Sequence, residues 1–141
     1  MSTGRVIVGV DGSAASKHAL RWAADYAVAM GHQLEAVAVW EMPATYGWIT
    51  STQDPVPTDT ALAGLGSVVA EVVGTTPHVE LTVSRGHAAY VLSEASKRAN
   101  LLVVGSRGMG GVKAMLIGSV SQYCVQHAYC PVVVVRGDTT P

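Results

Sequence analysis

Charge is scarce in this sequence. Only 13% of the 141 residues are charged, and nine Lys and Arg against ten Asp and Glu leave a net charge of -1. No global field draws in a polyanion, so general nucleic-acid binding is not expected. Long apolar runs are also missing. None approaches the roughly 18 residues of a membrane-spanning helix. The opening residues lead straight into Val6-Ile7-Val8-Gly9-Val10 and then Asp11, a stretch too short and too soon interrupted for a signal-peptide core. The expectation is a cytoplasmic protein without membrane contact.

Cysteine is nearly absent. Cys124 and Cys130 are separated by five residues and form no C-x-x-C pair, which removes the dithiol redox motif and gives no zinc signature. They read as reduced thiols acting as small apolar side chains. The histidines His18, His32, His78, His87 and His127 are scattered, none with a partner at metal-ligand spacing, so no metal site is expected. Internal repeats, low-complexity tracts and charge blocks are lacking too. What remains is a chain with 49% hydrophobic residues, long enough to bury a core without disulfides or metal. One domain over residues 1–141 is expected.

The apolar run 6–10, ended by Asp11-Gly12-Ser13, reads as a strand buried on both faces followed by a turn. Ser13 can cap a helix on which Ala19, Leu20, Ala23, Tyr26, Ala27 and Met30 recur at three- and four-residue steps. Gly31 supplies its stop. Further strands are predicted at 34–40, 79–84, 101–104 and 132–135. A helix between the third and fourth carries Ala88, Val91, Leu92, Ala95 and Ala99, with Glu94 four residues before Arg98 for a supporting pair. Another is predicted over 58–73 with an irregular start, because Gly64 and Gly66 each cost roughly 1 kcal/mol against Ala. Ser119 with Gln122 three residues on makes a capping-box pattern for the last helix.

Alternating strands and helices imply right-handed crossovers and a parallel sheet covered on both faces. Loops after the strands then share one rim, which collects Asp11, Gly12, Ser13, Glu41, Arg85, Gly86 and residues 105–119. Open parallel sheets bind ligands at that rim.

After the fourth strand come Gly105-Ser106-Arg107-Gly108, nine residues, and Gly118-Ser119 opening a helix. This pattern suits a phosphate: Gly105 and Gly108 permit positive φ and close backbone approach, and a helix start directs free N–H groups at an anion. The dipole alone supplies only about 0.3–1 kcal/mol, so loop amides, the Ser119 hydroxyl, and Arg107 or Lys113 must converge, with Arg85 on the same rim as a third candidate cation. Asp11 is equally explained as a turn former and Ser119 as a helix cap. A Walker A motif and a G-x-G-x-x-G after the first strand are both absent.

The G-x2-G-x9-G-Ser pattern, with Val-Gly-Val-Asp-Gly-Ser after the first strand and Cys-Pro-Val-Val-Val-Val near the end, resembles the universal stress protein family over essentially the whole chain. The resemblance implies a three-layer, open twisted, parallel five-stranded sheet in order 3-2-1-4-5. It is an α/β fold of the adenine nucleotide alpha hydrolase-like, Rossmann-like kind, with Asp11 and Gly105 flanking one crevice. It also implies ATP as ligand, with or without magnesium or manganese. Positions matching Val10, Asp11 and the backbone near Val39 would meet the adenosine, and those matching Gly105, Arg107, Gly108, Gly118, Ser119 and Val120 the ribose and phosphates. A Val at position 118 would then stand against the phosphates. The family likeness further implies a homodimer through the fifth strands, Val132, Val133, Val134 and Val135, whose bare apolar edge invites pairing.

Residues 41–57, bracketed by Trp40, Tyr46 and Trp48, read as a lid, a subunit contact or an anchored loop. The implied role is regulatory, with slow or absent hydrolysis, since Asp11 and Glu41 are the only rim carboxylates and no nucleophile has an obvious base. Cyclic AMP binding, a weak ATPase and a module whose glycines only shape turns stand as alternatives.

Overall fold

The computed structural model describes residues 4–40, 58–75, 77–107 and 118–137. The expectations for Glu41, Tyr46, Trp48, Gly108, Lys113 and the 41–57 segment lie outside these residues. Strands β1 (Arg5–Gly9), β2 (Gln33–Trp40), β3 (Val79–Arg85), β4 (Leu101–Gly105) and β5 (Val132–Val135) alternate with helices α1 (Ala14–Met30), α2 (Thr58–Val72), α3 (Ala88–Ala95) and α4 (Ser119–His127). They form one parallel sheet in the order β3-β2-β1-β4-β5. Register aligns Val6 with both Leu34 and Leu101, and Val103 with Val133.

β1 is central because it is apolar after Arg5. Val6, Ile7 and Val8 are fully buried, each burial stabilising by about 1.5–3 kcal/mol. Val6 and Val8 face the layer of α1 and α2, where Ala19, Leu20, Ala23, Leu65 and Val69 pack. Ile7 faces the layer of α3 and α4, with Leu92, Ala95 and Cys124. The ends of α1 are set by Ser13, whose hydroxyl accepts from the Ser16 amide at 3.2 Å, and by Gly31 at φ 69°. Only glycine holds that left-handed cap without a Cβ penalty. Cys124 and Cys130 are free, and burial pushes both thiols up, so they act as small apolar groups.

Four local expectations are corrected. Met30 is exposed, since it is the last residue of α1, beyond Ala27 where the buried stripe ends. Glu94 pairs with Lys97 at 3.0 Å rather than with Arg98; a three-residue 3-10 turn at Ser96–Arg98 swings Arg98 toward Glu35 instead, at 2.8 Å. α2 is continuous from Thr58, its tertiary packing outweighing the cost of Gly64 and Gly66. Ser119 does not cap α4: the N-cap is Gly118, with no side-chain cap hydrogen bond, and Ser119 lies inside the first turn. Among the described residues, no helix is long and apolar enough to cross a membrane.

Candidate functional site

Two loops meet at the carboxyl ends of β1 and β4, where the strand order reverses. β1 leads into Val10, whose amide still donates to the Val37 carbonyl of β2 at 2.9 Å. The Val10 side chain is buried in the core, so a ligand there meets main chain. Asp11 is exposed. Its carboxylate accepts from the Ser13 amide at 2.9 Å, a tight turn that Gly12 completes at φ 84°. Ser16 fixes the turn from below, its hydroxyl accepting from the Asp11 amide and donating to the Ser13 carbonyl.

From the other side, β4 ends at Gly105 and passes to buried Ser106. The Ser106 amide donates to Val135 of β5, while its carbonyl accepts from the Gly118 amide at 2.5 Å and from the Ser121 hydroxyl at 3.0 Å. The strand exit, the start of α4 and the end of β5 are thus tied at one residue. The Ser13 hydroxyl donates to the Arg107 carbonyl at 3.5 Å, joining the two loops. The first-turn amides of α4, those of Ser119, Val120 and Ser121, have no intrahelical acceptor. Gly118 brings no side chain to cap them. Such amides, with the positive end of the helix dipole, suit an anion.

The glycines carry a different reason from the one expected. Neither Gly105 nor Gly118 has positive φ. A Cβ on Gly105 would lie 2.7 Å from the Ala15 carbonyl carbon and 2.9 Å from the Ser16 amide nitrogen, so glycine there lets the first turn of α1 sit on β4. Gly137, two residues past β5, serves the same contact, with an added Cβ 2.6 Å from the Ala15 Cα. A Cβ on Gly118 would meet the Arg107 Cα at 3.2 Å. A Val at 118 therefore strains the loop itself and is no clean probe of a phosphate.

Asp11, Gly105, Arg107, Gly118 and Ser119 come together at this rim. Val39 stands at the β2 end, half-buried against the α3 and α4 layer, as does Val120 at the start of α4. Sequence reasoning missed the serines that hold the loops, Ser13 excepted. Ser106, directly after β4, and Ser16 and Ser121, each in the first turn of a helix at that rim, were the available signal. It also missed Glu35, a carboxylate 2% exposed on β2, bound by Arg5 at 3.1 Å, Arg98 at 2.8 Å and the Thr82 hydroxyl at 2.7 Å. A lone acid inside an apolar strand was its signal. Among the described residues no cluster of three His, Cys, Asp or Glu could hold a metal.

Residues 3–136 match the family model described as the universal stress protein family. The chain is 35% identical over 142 residues to a universal stress protein of Mycolicibacterium smegmatis, across 94% of this chain and 48% of that protein. It spans about half the length of the curated relatives it matches. Among solved structures, a universal stress protein in complex with cAMP superposes with TM-score 0.69 at 24% identity, over 98% of this chain and all of the other. The universal stress protein from Archaeoglobus fulgidus in complex with dAMP gives TM-score 0.60 at 22% identity, over 96% and 99%. Sheet order, rim loops and sequence match agree: the chain belongs to the universal stress protein family.

Proposed function

We propose that this chain binds an adenine nucleotide, ATP foremost, in the crevice between β1 and β4, and acts as a regulatory stress-response protein whose occupancy alters its conformation or its partners. The single observation that carries the reading is the start of α4 at Gly118, which has no side chain to cap its amides, tied to Ser106 and held beside the Asp11 turn by the Ser13 to Arg107 hydrogen bond. In this reading the adenosine lies against the main chain of Val10 and Val39 and the Asp11 carboxylate. The phosphates lie on the Ser119 and Val120 amides and the Ser119 hydroxyl, with Gly105, Arg107, Gly108 and Gly118 shaping the loop. An accompanying magnesium or manganese ion would be held chiefly by phosphate oxygens.

Asp11 already accepts from Ser13, and this commitment of its carboxylate supports slow or absent hydrolysis. A smaller adenine nucleotide is the second reading, favoured by the cAMP and dAMP complexes of the two similar folds. Competition calorimetry decides between them: ATP is expected to displace bound cyclic AMP with the higher affinity, because its added phosphates gain the α4 amides. Tighter binding of cyclic AMP would reverse that order, and binding of neither would reject the site. The chain is also inferred to pair with a second copy along β5, whose four valines form the last strand of the sheet.

A further inference from the structure

β3 has two unlike faces. Val79, Leu81 and Val83 pack against the α1 and α2 layer, whereas Glu80, Thr82 and Ser84 alternate with them toward the α3 side. A strand of a parallel sheet covered on both sides is ordinarily apolar on both. The departure has a structural counterpart. α3 sends Leu92 and Ala95 into the cluster of Ile7, Val37 and Leu102, so it sits over the middle of the sheet and, among the described residues, no helix covers this side of β3. A groove of about 310 Å³ opens between them. Val37, Thr82 and Ser84 line it from the sheet; Tyr90, Val91 and Ala95 line it from the helix.

Among the described residues, charge around the groove is compensated except at one place. At its inner end Arg98 is bound to Glu35, and Arg5 to both Glu35 and Glu80 at 3.1 and 2.7 Å, so two cations meet two carboxylates. Glu94 is paired with Lys97. Arg85, at the rim end, has no carboxylate partner among the described residues; its guanidinium lies 5.2 Å from the centroid of the Trp40 ring. A ring face orients a guanidinium without using its N–H donors. The groove thus offers a wall with apolar patches, hydroxyls and one planar cation that meets no carboxylate among the described residues, a set that recognises oxygen anions in bidentate fashion.

We propose that this groove is a second binding site, for a small organic oxyanion carrying a carboxylate or a phosphate ester. Its anionic group pairs with Arg85 and the Ser84 hydroxyl, and its apolar body lies on Val37, Val91 and Ala95. Tyr90, 56% exposed at the mouth, covers it. The site is separate from the crevice between β1 and β4 and does not depend on nucleotide binding there.

The test is an amide NMR titration of the full chain with sodium phosphate and, separately, sodium succinate, at ionic strength held constant with sodium chloride. Saturable shifts are expected at Thr82, Ser84, Arg85 and Tyr90, and the probe that saturates names the anion class. Arg85→Ala should weaken that binding at least tenfold, with Arg85→Lys between the two because it keeps the charge and loses the fork. Should Arg85→Ala fail to fold, Arg85→Lys and Ser84→Ala carry the same comparison. Shifts that rise linearly without saturating, that are unchanged in the Arg85 variants, or that are confined to residues 118–121 would overturn the proposal.

Discussion

A methyl group added at Gly105 would lie 2.7 Å from the Ala15 carbonyl carbon and 2.8 Å from its Cβ. Backbone, rather than a flexible side-chain end, is what it strikes. Gly105→Ala is therefore expected to lower stability by about 1–3 kcal/mol, the ordinary cost of overpacking, read as a shifted urea midpoint. An unchanged midpoint would mean that α1 can move off β4 freely. Importance of Gly105 was legible in the sequence; its reason was not, because the close approach comes from a helix 90 residues earlier in the chain. Glu35 is the complementary case. Its three partners come from β1, β3 and the turn after α3, and no local spacing announces them. Arg5, whose guanidinium is held more firmly protonated chiefly by its hydrogen bond to Glu80, completes that network.

At the scale of elements, strand and helix identities followed from periodicity, because β1, β4 and β5 are continuous apolar runs and α1 and α3 repeat their apolar residues at helical steps. Ends were less legible. The last helix carries a serine at the expected place, yet its N-cap is the glycine before it, since the hydrogen bond from the Gly118 amide to Ser106 fixes where the helix begins. Among the described residues no neighbour requires the two glycines of α2: an added Cβ meets nothing within 4 Å at Gly64 and only Leu81, at 3.5 Å, at Gly66. Gly64→Ala should accordingly stabilise the protein by about 0.5–1 kcal/mol through the reduced entropy of the unfolded chain, seen as a higher thermal midpoint. A lower midpoint would show that the position has a contact of its own.

For the whole molecule, the order β3-β2-β1-β4-β5 decides what stands beside what. It brings the turn after β1 against the loop after β4, and it leaves β3 and β5 at the two margins. β5 contributes four half-buried valines to its margin. Light scattering across micromolar dilutions is expected to show a dimer, and amide exchange to show Val132–Val135 protected within it; a monomer throughout would exclude pairing at that edge. The parallel sheet was legible from the alternation of elements, its order from the family likeness, and the rim from both. The groove beside β3 was not, because it arises from where α3 lies across the sheet.

The amides at the start of α4 are the point on which the nucleotide reading turns, and Ser119, exposed and without a capping bond, is the place to test them. A carboxylate in a first helical turn favours the helix by about 0.3–1 kcal/mol while repelling a phosphate at the same amides, so Ser119→Glu separates folding from binding. Calorimetric titration of ATP into both proteins, with urea unfolding of each, is the most direct measurement. The variant should be at least as stable as the parent and bind ATP at least tenfold more weakly, a loss of about 1.4 kcal/mol or more. A folded Ser119→Glu protein that binds ATP as the parent does would contradict the site.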